Sequence, residues 1–329
     1  MKTVLAGCGP LGAAYAEQLS ASKAFTLAAV YDEQPELAEA LALRFGVPAY
    51  TSMQEMLSEI NPQLCCWSRP AADAVDLLMT VAASGADLAV EQPLGRSVAE
   101  ADRLLAACGE SGVKLHVRQA KRYSPEHAML RQLVQGGSVG TPGVIHAKWC
   151  GPLPERSAEP GSLVDLLIMD RLVEELDFLQ GMLGEVRTVY ASGREQEGGA
   201  QVMITLRFAN DAIANVLGYW SPDGLMVSDY EVAASTGILT SGGNDRSLLL
   251  RRQAAAPAVG YAQPGHAAEG LHYQELDIWL SLEPAVVAER MAGARAALEL
   301  AVAAADSVKQ GMPVQLALQE KGRQVTAGS

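Results

Sequence analysis

Through residue 120 the chain alternates short apolar runs with stretches whose apolar positions recur at helical spacing. The runs at 2–6, 26–31, 63–67, 87–91 and 113–117 predict strands, and 11–20, 34–45, 52–58, 71–84 and 97–110 predict the helices between them. Regular β/α alternation predicts a parallel sheet covered on both faces, because each crossover lays a helix against the sheet. Pro35 at a helix start and Gly85 and Gly112 past helix ends are the punctuation such helices use.

Beyond Arg122 the period changes. After one more helix at 125–135, the segments 144–150, 186–192, 201–208, 212–219 and 227–234 read as strands, several alternating apolar with polar as a sheet wet on one face does. A helix over 163–182 interrupts them and ends at Gly184; an Ala-rich helix over 285–309 and a short strand at 312–316 close the pattern. The expected fold class is α/β: residues 1–120 form a doubly wound parallel-sheet domain. Residues 121–329 form an α+β domain on an open, mainly antiparallel sheet, with helix 285–309 packing back toward the first domain. The Gly/Pro/Ala stretch 253–270 is expected as a mobile loop, and a short tail is expected at the C-terminal end.

Composition narrows the class of function. A chain of 329 residues with 49% hydrophobic content buries ample core for two domains. Its net charge of −13 disfavours nucleic acid and acidic membrane surfaces as partners. No run reaches the roughly 18 apolar residues of a membrane span. Leu5-Ala6-Gly7-Cys8 mimics a lipoprotein cleavage site, but the apolar run ahead of Cys8 falls short of the roughly 7–15 residues of a signal core. Cys8, Cys65, Cys66, Cys108 and Cys150 form an odd set without ligand spacing and read as reduced core residues of a cytoplasmic protein. The histidines show no ligand spacing either. Asp170, Glu174 and Asp177 have nothing to complete a coordination shell, so no metal is expected.

The first strand runs into Gly7-Cys8-Gly9-Pro10-Leu11-Gly12, the Gly-x-Gly-x-x-Gly turn of a Rossmann dinucleotide site. Gly7 permits the tight turn, Gly9 lets backbone approach a pyrophosphate, and Gly12 lets the following helix sit close to the sheet. Pro10 and Leu11 open that helix, whose N-terminus favours phosphate. The second strand ends at Asp32, at the distance expected of an acid accepting from an adenosine ribose. With Glu33 beside it, a 2′-phosphate would meet two negative charges and no arginine, so NAD(H) is expected over NADP(H).

Other landmarks carry a resemblance over nearly the whole chain. They are Glu36 to Val47, Gly85-Ala-Asp-Leu-Ala-Val-Glu91-Gln92-Pro93-Leu94, Lys121-Arg122-Tyr123-Ser124-Pro125, Asp170-Arg-Leu-Val-Glu174-Glu-Leu-Asp177 with Leu183-Gly184-Glu185, and Ala297 to Val314. In this order they resemble the glucose–fructose oxidoreductase / inositol dehydrogenase / MocA superfamily. The resemblance implies hydride transfer between NAD(H) and a small polar metabolite: a sugar, a cyclitol or a derived keto or imine compound. It also implies a homodimer or dimer of dimers, formed through the open sheet.

The resemblance further implies where the chemistry would lie. The family's motif lysine is Gln92 here and its motif histidine is Glu174, so both usual proton-handling groups are replaced. Gln92 would orient the reacting oxygen, and Tyr123, Lys121, Asp170 and Glu174 are the proton-transfer candidates. Glu91 would support the turn or the cofactor. General acid–base help is worth about 10²–10⁴-fold, so losing the lysine does not forbid the reaction. The double replacement also fits an alternative, a non-catalytic sensor or partner protein that binds NAD or sugar on the same scaffold.

Overall fold

A computed structural model describes residues 1–153, 162–196, 199–221, 226–242, 248–252, 259–261 and 271–317. Most of the stretch expected to form a loop, and the expected tail beyond 317, lie outside the described residues. The chain divides into two compact units. One comprises Met1–Arg131, Ile168–Phe178 and Ala262–Val302; the other comprises Gln132–Leu167, Leu179–Tyr261 and Ala303–Ser329.

The first unit opens with β1 (Lys2–Ala6), α1 (Pro10–Ala21), β2 (Thr26–Tyr31), α2 (Pro35–Phe45), β3 (Ala49–Tyr50), α3 (Met53–Ile60), β4 (Leu64–Pro70), α4 (Val75–Ala83), β5 (Asp87–Glu91), α5 (Val98–Ser111) and β6 (Leu115–Val117). The six strands are all parallel, in the order β3-β2-β1-β4-β5-β6. This is the doubly wound order, whose ligand crevice opens at the carboxyl ends of β1 and β4. Each face carries its own core. Val4, Trp67, Leu78, Leu88 and Leu104 build one and Leu5, Leu19, Val30, Leu41 and Cys66 the other.

The turn elements α6 (Ala120–Tyr123) and α7 (Pro125–Gln135) follow β6. The second unit's sheet then begins with β7 (Pro142–Pro152) and, after α8 (Leu163–Leu167) and α9 (Val173–Leu183), continues through β8 (Val186–Gln196), β9 (Gly199–Phe208), β10 (Ile213–Ser221), β11 (Val227–Ala234), β12 (Gly237–Ser241), β13 (Leu248–Arg252) and β14 (Val259–Tyr261). The helices α10 (Leu271–Leu280) and α11 (Pro284–Gln310) and the short β15 (Val314–Gln315) complete the chain. The nine strands run β14-β13-β12-β11-β7-β10-β9-β8-β15, antiparallel at every junction except β7 with β10. Along β9, Val202, Ile204, Leu206 and Phe208 are buried while Met203 between them is exposed, the alternation of a sheet covered on one face only.

Three departures from the sequence reading have local causes. The stretch 71–84 is not one helix: Ala71–Asp73 forms a 3₁₀ turn because the Ala72 N–H donates to the Pro93 carbonyl (3.0 Å), and α4 starts only at Val75. The stretch 163–182 is broken by a π-helical turn, Ile168–Leu172. Its buried pairs Leu167/Ile168 and Leu172/Val173 lie five residues apart, so a wider turn is needed to return both to the core. Finally, α10 was not expected at all. Leu276 and Trp279 belong to the core cluster of α1 and α2, while Met291, Ala294 and Leu298 of α11 belong to the cluster on the opposite face.

Candidate functional site

The glycine turn sits at the carboxyl end of β1. Gly7 holds φ +94°, and a Cβ there would lie 2.5 Å from Ser68 Oγ, the hydroxyl that donates to the Gly7 carbonyl (2.8 Å). A Cβ on Gly12 would fall 1.9 Å from the Gly7 carbonyl oxygen, so α1 packs directly on the turn. Gly9, the residue before α1, has nothing within 4 Å of its Cβ position and leaves its backbone open to a ligand. Gly9 and Gly12, with Pro10, Leu11, Asp32, Gln34, Leu37, Ser68 and Arg69, line a pocket at the N-terminus of α1.

Asp32 organises this pocket. One carboxylate oxygen accepts from the Cys8 N–H (2.7 Å) and the other from the Gln34 N–H (3.0 Å), tying the β1 and β2 turns together. A carboxylate offers about four acceptor positions, so two remain toward the pocket that Asp32 lines. An arginine also reaches this end of the sheet, which the expectation of no arginine did not foresee. It comes from β4: Arg69 Nη2 lies 3.7 Å from Glu33 Oε1. The five cysteines are buried, and burial pushes the Cys8 and Cys65 thiols up to about 12, so they are inert core groups.

At the end of β5 the chain turns through a cis Gln92–Pro93 peptide. Both amide atoms of Gln92, Oε1 and Nε2, are buried without a hydrogen-bond partner among the described residues. Its neighbour Glu91 accepts from the Tyr15 hydroxyl (2.6 Å) and from Arg118 Nη1 (3.3 Å). Arg118 also lies 3.7 Å from Glu275 of α10, whose other oxygen accepts from the Gln119 N–H (2.8 Å) and lies 3.3 Å from His116 Nε2. Burial raises the Glu275 carboxyl, but His116, Arg118 and that amide outweigh burial and hold it below the usual range. Glu275 and buried His116 are therefore part of the polar framework. The first could not be foreseen because its helix went unrecognised, and the second gave no signal beyond lacking ligand spacing.

The short helix α6 and the motif helix supply the remaining candidates. Lys121 is buried with its ammonium 2.8 Å from Glu175, and Arg122 makes a two-pronged pair with Asp177 (2.8 and 2.6 Å). Tyr123 accepts a hydrogen bond from Arg290, whose guanidinium also lies over its ring, and burial pushes the phenol up to about 12. Asp170 and Arg171 lie in the π turn rather than on a regular helix. Glu174 is half-buried, and its carboxyl accepts the Lys121 backbone N–H (3.3 Å). Burial raises its pKa above the usual carboxylate range against the opposing fields of Lys121 and Arg118. Unlike Glu175 and Asp177 it has no ion pair among the described residues, and burial prevails.

The turn, the ribose-distance acid and the open helix N-terminus fit a dinucleotide. The comparisons agree. Residues 1–119 match the oxidoreductase family with an NAD-binding Rossmann fold, and residues 127–240 match the GFO/IDH/MocA C-terminal domain. The chain is 27% identical over 170 residues to UDP-N-acetylglucosamine 3-dehydrogenase of Acidithiobacillus ferrooxidans, covering 52% of each protein. It is 24% identical to scyllo-inositol 2-dehydrogenase (NAD(+)) of Bacillus subtilis, covering 96% of each. Against three of the curated relatives it spans only 65%, 52% and 66% of their length. The crystal structure of GenD2 from gentamicin A biosynthesis in complex with NAD superimposes with a TM-score of 0.78 at 24% identity, covering 97% of both chains. From its two matched regions and its fold, the chain belongs to the GFO/IDH/MocA oxidoreductase family, with NAD(H) as its cofactor.

Proposed function

We propose that the protein moves hydride between NAD(H) and a small polyhydroxylated or keto metabolite, with Gln92 orienting the reacting oxygen and Glu174 handling the proton. The bound nicotinamide supplies or accepts the hydride; the chain's own residues do the rest. The observation that carries the reading is the buried, unbonded amide of Gln92: such a group is costly unless a polar partner satisfies it. An amide donates to a carbonyl or hydroxyl oxygen without titrating, so the proton must come from elsewhere. Lys121 and Tyr123 are committed to Glu175 and Arg290, whereas burial gives the Glu174 carboxyl a higher proton affinity than an ordinary carboxylate, which favours it as the group that takes and returns the proton. Glu91, Gly7, Gly9, Pro10, Leu11, Gly12 and Asp32 are assigned to the cofactor side, and Asp170 to the periphery of the proton site. The relatives named above act on a nucleotide sugar and a cyclitol, which supports hydroxyl-rich substrates.

The test is a panel of sugars, cyclitols and their keto forms, followed by NADH absorbance. Glu174→Gln should lower kcat by about 10²–10⁴-fold on the best substrate. Alcohol oxidation in the unaltered protein should rise with pH through the raised Glu174 value, and ketone reduction should fall, because the first needs the carboxylate and the second the acid. Bound NADH left intact by the whole panel is the behaviour of a sensor and refutes the reading. The exposed face of the nine-stranded sheet, with Met203, Tyr190 and Ile238 accessible, is the surface assigned to pairing with a second copy.

A further inference from the structure

Arg69 crosses the nucleotide end of the first unit's sheet. It leaves β4 beside Gly7, where its Cγ is 3.3 Å from the position a Cβ would take. Its guanidinium lies over the Trp67 ring (5.0 Å) and its Nη2 is 3.7 Å from Glu33, next in sequence to the acid Asp32. Its Nε is buried without a hydrogen-bond partner among the described residues. The pair with Glu33 is long and Glu33 is mostly exposed, so the guanidinium is held in place by its packed stem and ring more than by that carboxylate. Asp32, in contrast, is fixed by two backbone amides.

We propose that Arg69 and Glu33 together set the response of this site to the adenosine 2′ position. Glu33 neutralises Arg69 and adds its own repulsion, so a 2′-phosphate is refused; without the Glu33 charge, Arg69 is a ready phosphate ligand. The proposal rests on the assignment of the pocket to a dinucleotide and deepens it by naming what selects the cofactor. An arginine fork suits phosphate because it offers parallel donors, and the unbonded Nε supplies one of them.

The experiment titrates NADH and NADPH, by nucleotide fluorescence, into the unaltered protein, Glu33→Gln, Arg69→Gln and the double variant at low and moderate salt. Glu33 is exposed, so Glu33→Gln leaves packing intact. In Glu33→Gln the Kd for NADPH should fall roughly 10–100-fold while that for NADH changes less than about threefold, since only the 2′-phosphate carries the new charge. The gain should shrink at higher salt and vanish in the double variant. Unchanged NADPH affinity in Glu33→Gln, or a gain that survives Arg69→Gln, overturns the proposal while NADH binding keeps the pocket assignment standing. Failure of the unaltered protein to bind NADH removes both.

Discussion

Gly293 in α11 tests whether the buried pair of Arg122 and Asp177 is as rigid as its geometry implies. A methyl group there would lie 2.4 Å from Arg122 Nη2. An arginine tip ordinarily swings aside, but this one donates to both oxygens of Asp177, which is 1% exposed and also accepts from Gln119 (3.0 Å). Alanine gains about 1 kcal/mol of helix propensity over glycine. Against that, breaking a buried pair costs about 3–5 kcal/mol, and squeezing a packed site without breaking it costs about 1–3 kcal/mol. Gly293→Ala should therefore destabilise by up to about 2 kcal/mol net where the site is only squeezed and by about 2–4 kcal/mol where the pair breaks. Urea unfolding measures it, with Gly109→Ala in α5 as the reference: nothing lies within 4 Å of that Cβ position, so it should stabilise by up to about 1 kcal/mol. In an Arg122→Met background the obstacle is gone, and Gly293→Ala should change from a loss toward a gain. Equal stabilisation by Gly293→Ala and Gly109→Ala would refute the claim that Asp177 pins Arg122.

Gly12→Ala should weaken NADH binding at least about tenfold with the circular dichroism spectrum retained, because its methyl meets the backbone of Gly7 and must push α1 off the turn. Glu275 makes an acid-sensitive contribution to stability. Its folded pKa lies below the unfolded value, so the contribution is complete above about 4.3 and is lost as pH falls below that. Glu275→Gln should lower stability at pH 7 and flatten the loss on acidification, read from thermal melts between pH 7 and 3. Sedimentation velocity should return a species heavier than the 34.7 kDa chain, and Met203→Glu on the open sheet face should shift it toward monomer.

Much of the first unit was legible because its signals are local. An apolar run, a glycine turn and a capped helix each report themselves within about a dozen residues, and five of the six parallel strands lie where the runs are; the two-residue β3 was not expected. The site was only half legible. The glycines and Asp32 could be read from spacing, but Arg69 meets Glu33 and Glu275 meets His116 across 36 and 159 residues of chain. No local pattern announces such meetings. The π turn escaped for a different reason: it follows from a five-residue step between buried pairs, which looks like an ordinary helix until burial is known. Strands β12 to β14 are three to five residues each, too short for a period to show, and α10 is a ten-residue helix directly after a Gly- and Ala-rich stretch.

The replacement of both family proton carriers becomes intelligible once the charges around the motif helix are paired off. Glu175 takes Lys121, Asp177 takes Arg122, and Glu91 and Glu275 share Arg118. Each cation is buried or nearly so, and each would be expensive to leave without its carboxylate. Glu174 is left with one backbone N–H and the more distant fields of Lys121 and Arg118. A carboxylate in that position is stabilised too little to stay ionised as readily as an exposed one, yet it is not sealed off from solvent. A raised proton affinity with access to solvent suits a group that exchanges protons, and a histidine at the same place would hold such an affinity intrinsically. A glutamate must obtain it from its surroundings, so the role proposed for Glu174 depends on the neighbouring cations remaining committed. Lys121→Met would remove the cation that opposes burial and leave Glu175 unpaired. It should raise the apparent pKa of the Glu174 limb in the rate profile while destabilising the protein. A limb that stayed fixed would mean that Glu174 is not the group being titrated.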